Sequence, residues 1–77
     1  MVAGVLIKTS PGKVKAVLAS LRGIPSVKYA YAVFGRYDLV AMIEAENIEA
    51  LTEIIVGKIG AIDGVTNTET LIKAPIE

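Results

Sequence analysis

The first strand-like run, Val2-Ala3-Gly4-Val5-Leu6-Ile7-Lys8-Thr9, is apolar on both of its faces. Side chains alternate across a strand, so Val5 and Ile7 point one way while Leu6 points the other. Such a strand lies centrally in a sheet, or is covered on both sides. In a chain of 77 residues that is a demanding condition, because a domain this small buries only roughly 60% of the surface its unfolded chain exposes. Burial then barely offsets chain entropy. Yet 53% of the residues are hydrophobic and the mean hydropathy is +0.59, more apolar than one small two-layer core needs. The surplus predicts a second buried surface, and hence self-association.

The remaining elements are set by periodicity and punctuation. Ser10-Pro11-Gly12 reads as an N-cap, a first-turn proline and a helix start, with Val14, Val17, Leu18 and Leu21 at helical spacing behind it. Gly23 suits the left-handed position after a helix, and Pro25 prevents continuation. From Val27 to Phe34 the pattern alternates, placing Val27, Tyr29, Tyr31 and Val33 on one face and Lys28, Ala30, Ala32 and Phe34 on the other. The short connection Gly35-Arg36-Tyr37 joins this run to Asp38 to Ala45 as an antiparallel hairpin.

Asn47 caps a second helix whose Ile48, Leu51, Ile55, Ile59 and Ile62 trace one side, with Gly60 ending its regular part. Gly57 inside that helix costs about 1 kcal/mol relative to alanine, which predicts a kink or a close approach there. Gly64 then turns the chain into a last strand, Val65 to Ala74, with Thr66, Thr68, Thr70 and Ile72 on one face.

Strand, helix, strand, strand, helix, strand is the split arrangement of an α+β, ferredoxin-like βαββαβ domain. It predicts one domain over residues 1–77, with a four-stranded antiparallel sheet, two helices on one face, and the first and third strands central. The uncovered face is apolar, so it should pair with another copy, as in dimeric α/β barrels.

Composition removes several classes of function. Eight basic residues balance eight acidic ones with no basic run or helix face, which argues against direct nucleic-acid binding. Without cysteine or histidine there is no disulfide, no zinc site and no histidine-based catalytic triad, and neither a cofactor nor a metal is expected. Glu44, Glu46, Glu49 and Glu53 read as a solvated face beside a helix start. Pro11-Gly12-Lys13 lacks the spacing of a phosphate loop. The N-terminal apolar run is too short for a signal peptide or membrane span, so the expectation is a soluble cytoplasmic protein without a membrane partner.

Functional groups concentrate in Gly35-Arg36-Tyr37-Asp38. Gly35 by itself reads as the positive-φ residue of a hairpin loop. Asp38 reads as a turn-stabilising carboxylate holding free backbone N–H groups, or as a ligand partner. Arg36 and Tyr37 read as a solvated rim. Together a carboxylate, a guanidinium and exposed amides suffice to hold a zwitterion such as a free amino acid. The threonine row favours a structural role, since threonine prefers strands, though hydroxyls facing a subunit boundary could complete a polar pocket.

With "VLIKT.PGK", "IPSVK", "GRYDL" and "IDGVTNTETLI" in view, the chain resembles nearly end to end the effector domain, known as RAM, of the Lrp/AsnC amino-acid-responsive transcription regulators. The G-x-Y-D and G-V-x-x-T-x-T elements carry the resemblance together. It implies a sheet-to-sheet dimer, a ring of dimers such as an octamer, and small effectors, usually amino acids, bound between dimers. Gly35, Tyr37 and Asp38 would form the effector loop, with Asp38 facing the ligand ammonium, and Thr68 and Thr70 of the adjoining dimer would contact the carboxylate end. Arg36 occupies a variable family position.

The family's helix-turn-helix is missing from this sequence, so the resemblance is to a stand-alone RAM domain. It would regulate transcription or amino-acid metabolism by binding an effector, mixing with full-length family regulators or contacting an enzyme. Two other readings compete: a small dimeric α/β-barrel enzyme of isomerase or monooxygenase type, and a purely structural assembly module. Against the enzyme stands the want of a paired acid and base.

Overall fold

The computed structural model describes residues 1–76. Its elements run β1 (Val2–Thr9), α1 (Val14–Arg22), β2 (Val27–Ala32), β3 (Leu39–Glu44), α2 (Ile48–Thr52), a π-helical segment (Glu53–Ile59) and β4 (Val65–Ile72). The strands form one antiparallel sheet in the order β2-β3-β1-β4. The apolar-on-both-faces β1 is therefore central, with β3, and the expected ferredoxin-like fold is present.

Register decides which residues share a face. Ile7 lies opposite Leu39 and Thr68, Val5 opposite Ala41 and Thr70, and Ala3 opposite Ile43 and Ile72. The β1 and β3 members of these rows are buried with Val17 and Leu21 of α1 and with Leu51, Ile54 and Ile59 of the second helical region. Both helices thus cover this face. The other face carries Val2, Leu6, Tyr29, Tyr31, Val40, Met42 and Leu71. Val2, Tyr29, Tyr31 and Leu71 remain 50%, 55%, 49% and 51% exposed, and the two tyrosine rings stack 6.2 Å apart on this open surface.

Several local expectations give way to tertiary geometry. Ser10 does not cap α1: its C=O accepts from Lys13 N–H at 3.1 Å, closing a turn in which Gly12 takes φ +81°. Proline followed by a positive-φ glycine is the type II arrangement, and the helix begins only at Val14. Gly23 keeps right-handed backbone, at φ −84°, so it terminates the helix without the left-handed turn. In β2 the register shifts between Val27 and Tyr29. A bulge places an extra residue on one strand and reverses the facing of the residues beyond it, so Val27 and Ala30 are buried while Tyr29 and Tyr31 face the open side.

The second helix shows the largest difference. After one α-helical turn it winds as π-helix from Glu53 to Ile59, and Gly60 N–H reaches Ile55 C=O, five residues back, at 2.8 Å. The wider turn rotates the apolar stripe: Ile54 and Ile59 are the buried pair, whereas Ile55 is only partly buried and Ile48 is 47% exposed. Gly57 shows no close approach, because a Cβ there would meet only Glu53 Cγ at 3.8 Å.

Candidate functional site

β2 ends at Ala32 and β3 begins at Leu39, so the hairpin connection is longer than three residues. Val33 N–H donates to Asp38 C=O at 3.0 Å and closes the tip. Within it Gly35 adopts φ +124°, a conformation open to glycine and costly for other residues. Phe34 beside it is fully exposed.

Tyr37 extends over the open face and its hydroxyl donates to Glu69 Oε1 of β4 at 2.5 Å. That contact, with burial and the nearby carboxylate charge, holds the phenol above its usual range, while Arg36 opposes the shift. Lys8 Nζ donates to Arg36 C=O at 3.1 Å, tying the loop to β1 a second time.

Asp38 is built into the end of β1. Its N–H donates to Ile7 C=O at 2.9 Å, and its Oδ2 accepts the backbone N–H of Thr9 at 2.8 Å and the Thr9 hydroxyl at 3.3 Å. The Thr9 backbone bond is the main reason the carboxyl sits below its ordinary range. Partial burial opposes it, and the Thr9 hydroxyl and Lys8 charge add to it. The need is local, because the pairing of β1 with β3 ends at Ile7 and Leu39, and the Thr9 N–H lies beyond it on the β3 side of β1. The carboxylate supplies the acceptor that the β3 ladder no longer offers there.

The threonine row divides where the register of β1 against β4 breaks between Lys8 and Thr9. Lys8 pairs with Asn67 and Thr9 with Val65, leaving Thr66 at the bulge, where its hydroxyl donates to Lys8 C=O at 3.1 Å. Thr68 and Thr70 continue together on the helix-covered face, and Thr70 with Ile72 lines a groove of ≈ 290 Å³ against Ile48, Ile55 and Val56. Asp38 and the two threonines lie on opposite sides of β1, so one chain does not join them into a pocket.

Residue by residue, the chain thus brings together Asp38 with Thr9 and Tyr37 with Glu69, but neither Thr68 nor Thr70 with the loop. Glu69, Lys8 and Thr9 are the members that sequence reasoning missed. Alternation does place Glu69 on the face opposite Thr68 and Thr70, but nothing local reveals that Tyr37 crosses β1 to meet it. A larger open groove of ≈ 610 Å³ lies at the other end of the sheet. Lys28 and Glu44, which line it, pair with each other at 3.4 Å. Among the described residues no cluster of His, Cys, Asp or Glu is placed to hold a metal ion, and no helix is long and apolar enough to cross a membrane.

Residues 2–73 match the family model of the Lrp/AsnC ligand-binding domain. The chain belongs to the Lrp/AsnC family. Among relatives of this Lrp/AsnC domain, the HTH-type transcriptional regulator FL11 of Pyrococcus horikoshii is 36% identical over 94% of the chain and 47% of its own length. The regulatory protein AsnC of Escherichia coli is 33% identical over 90% of the chain and 45% of its own length. The chain therefore spans about half of these regulators. A solved protein of Thermus thermophilus superposes with a TM-score of 0.88 at 33% identity, covering 99% of this chain and 98% of that one. E. coli AsnC superposes at 0.87 and 29% identity over 99% and 53%. The shared architecture is thus that of a regulator's ligand-binding domain, and the named relatives are regulators.

Proposed function

We propose that this Lrp/AsnC domain, taken as one unit over residues 1–77, is an effector-binding and assembly module in the cytoplasm. It pairs with a second copy through the open face of its sheet and takes up a small amino-acid effector at the hairpin tip. The observation that carries the reading is the open face itself. Val2, Tyr29, Tyr31 and Leu71 are each about half exposed on one contiguous apolar surface, and monomers rarely leave such a surface in water.

The tip supports the effector half. Both bonds from Thr9 fall on Asp38 Oδ2, so Oδ1 is available to an ammonium, and among the described residues Arg36 forms no ion pair, so its guanidinium suits a carboxylate. Thr68 and Thr70 enter through an adjoining dimer in a ring such as an octamer. Regulation of transcription follows from the relatives' role, with assembly alone or with full-length family regulators as the route and no direct DNA contact by this domain. An acid–base enzyme is disfavoured by the employment of Asp38 in holding Thr9, which leaves no paired base.

Two measurements test this. Melting temperature is followed with each free amino acid in turn. At a hundredfold excess over its dissociation constant a bound effector adds about 2.7 kcal/mol, a rise of roughly 10–20 °C for a domain of this size. Asp38→Ala should abolish the response. Should no amino acid raise the melting temperature in the wild type, the effector reading fails. Separately, Leu71→Glu removes about 1 kcal/mol of burial per copy and about 2 kcal/mol per two-fold dimer, so the dimer should weaken about thirtyfold or more in sedimentation.

A further inference from the structure

The hairpin tip is tied to the sheet at two levels. At its base Asp38 does the work: its N–H donates to Ile7 C=O at 2.9 Å and its Oδ2 accepts the Thr9 N–H at 2.8 Å. Nearer the tip, Arg36 and Tyr37 are held by residues from outside the proposed site. Lys8 Nζ donates to Arg36 C=O at 3.1 Å, and Glu69 Oε1 accepts the Tyr37 hydroxyl at 2.5 Å. Apart from the bond to Lys8, the backbone of residues 34–37 makes no hydrogen bond among the described residues. Gly35, at φ +124°, is a point at which such a segment pivots easily. The pose of Arg36 and Tyr37 therefore depends on two side chains, Lys8 from β1 and Glu69 from β4.

Of the two, Glu69 reaches further. It stands opposite Leu6 of β1, and β1 separates β4 from β3, so Tyr37 must extend across a whole strand to meet it. The bond lies beside the groups that face an effector. Arg36 forms no ion pair among the described residues, and its charge is felt at the Tyr37 phenol. A loop that has to be ordered when its ligand arrives gives up affinity to that ordering, whereas a loop already pinned does not. We infer that Glu69 is a positioning residue of the effector site: by accepting the Tyr37 hydroxyl across β1, it fixes the pose in which Arg36 and Asp38 are presented together, without contacting the effector itself. The inference rests on the effector reading above and adds to that site a residue from the far side of β1.

Isothermal titration calorimetry of the full chain tests it, with the free amino acid that raises the melting temperature most as the probe. Glu69→Ala and Tyr37→Phe should each weaken binding about tenfold, the order expected when a preorganised loop is set free. The double variant should bind no more weakly than either single one, because both remove the same bond. Glu69→Gln should return the affinity to within about twofold of wild type, since an amide oxygen accepts from a phenol as a carboxylate does. That rescue separates the hydrogen bond from the charge of Glu69. Unchanged affinity in Glu69→Ala overturns the inference and leaves the effector reading intact. So do additive losses in the double variant, or a Glu69→Gln protein that binds as weakly as Glu69→Ala. A wild type that binds no amino acid overturns the effector reading and the inference with it.

Discussion

Deleting Gly57 should convert the π-helical segment to α-helix without loss of the fold. The segment is tethered by two buried side chains, Ile54 at 7% exposure and Ile59 at 0%, which stand five residues apart. Removing one residue between them makes the separation four, and four residues of α-helix turn about 400° and rise about 6 Å. Both anchors therefore stay on the core side, and the bond from Gly60 N–H to Ile55 C=O becomes an ordinary i to i−4 bond. The deletion also removes a helix-interior glycine, worth about 1 kcal/mol relative to alanine. No Cβ-sized space is vacated against the core, since Gly57 touches little beyond Glu53.

Stability should consequently rise by about 1 kcal/mol, or 4–8 °C in melting temperature, when denaturant and thermal unfolding are followed by circular dichroism. A second comparison fixes the register: Ile54→Ala should cost about 2–4 kcal/mol, and Ile55→Ala clearly less, because Ile55 is only partly buried. A Gly57 deletion that lowers stability by more than about 2 kcal/mol would refute the claim that the two anchors set the winding. So would equal costs at Ile54 and Ile55.

Three further outcomes concern the site and its frame. Because Thr9 holds the Asp38 carboxyl below its ordinary range, its contribution is fully present above the unfolded carboxyl pKa of about 3.9 and disappears as pH falls through the lower folded value. Asp38→Asn should destabilise the protein at neutral pH and remove part of the acid limb in a pH series of unfolding midpoints; an unchanged acid limb would deny the Thr9 contact. Glu69→Ala should move one phenol titration downward toward about 10 in ultraviolet difference spectra, as the acceptor that raises Tyr37 is lost. Titration unaltered from wild type would show that Tyr37 and Glu69 do not pair. Gly64→Ala should cost about 2–3 kcal/mol in chemical denaturation, since Gly64 sits at φ +101° and a Cβ would lie 2.8 Å from Lys13 Cβ. A loss under about 0.5 kcal/mol would mean that α1 yields freely.

At the hairpin tip, the residue types were readable from sequence but their partners were not. Asp38 at a strand start signals a carboxylate holding backbone N–H groups, and it does so; that the N–H belongs to Thr9, 29 residues away, depends on where the pairing of β1 with β3 ends. Tyr37 reads as an exposed rim because nothing near it in sequence accepts its hydroxyl. Glu69 becomes its acceptor only once β1 lies between β3 and β4.

The order of elements, the central place of β1 and the presence of an uncovered apolar face were determined by the sequence alone. Alternation and helical spacing are properties of neighbouring residues, and a strand apolar on both sides has few places to go. Only the tertiary structure decided the face of Val27, the winding from Glu53 to Ile59, and the separation of Thr68 and Thr70 from Asp38 within one chain. Each depends on a register between distant segments: a bulge at Lys28, the distance between core anchors, and the order of strands. One residue of slip in such a register exchanges inside for outside at no local cost, so no local pattern records it.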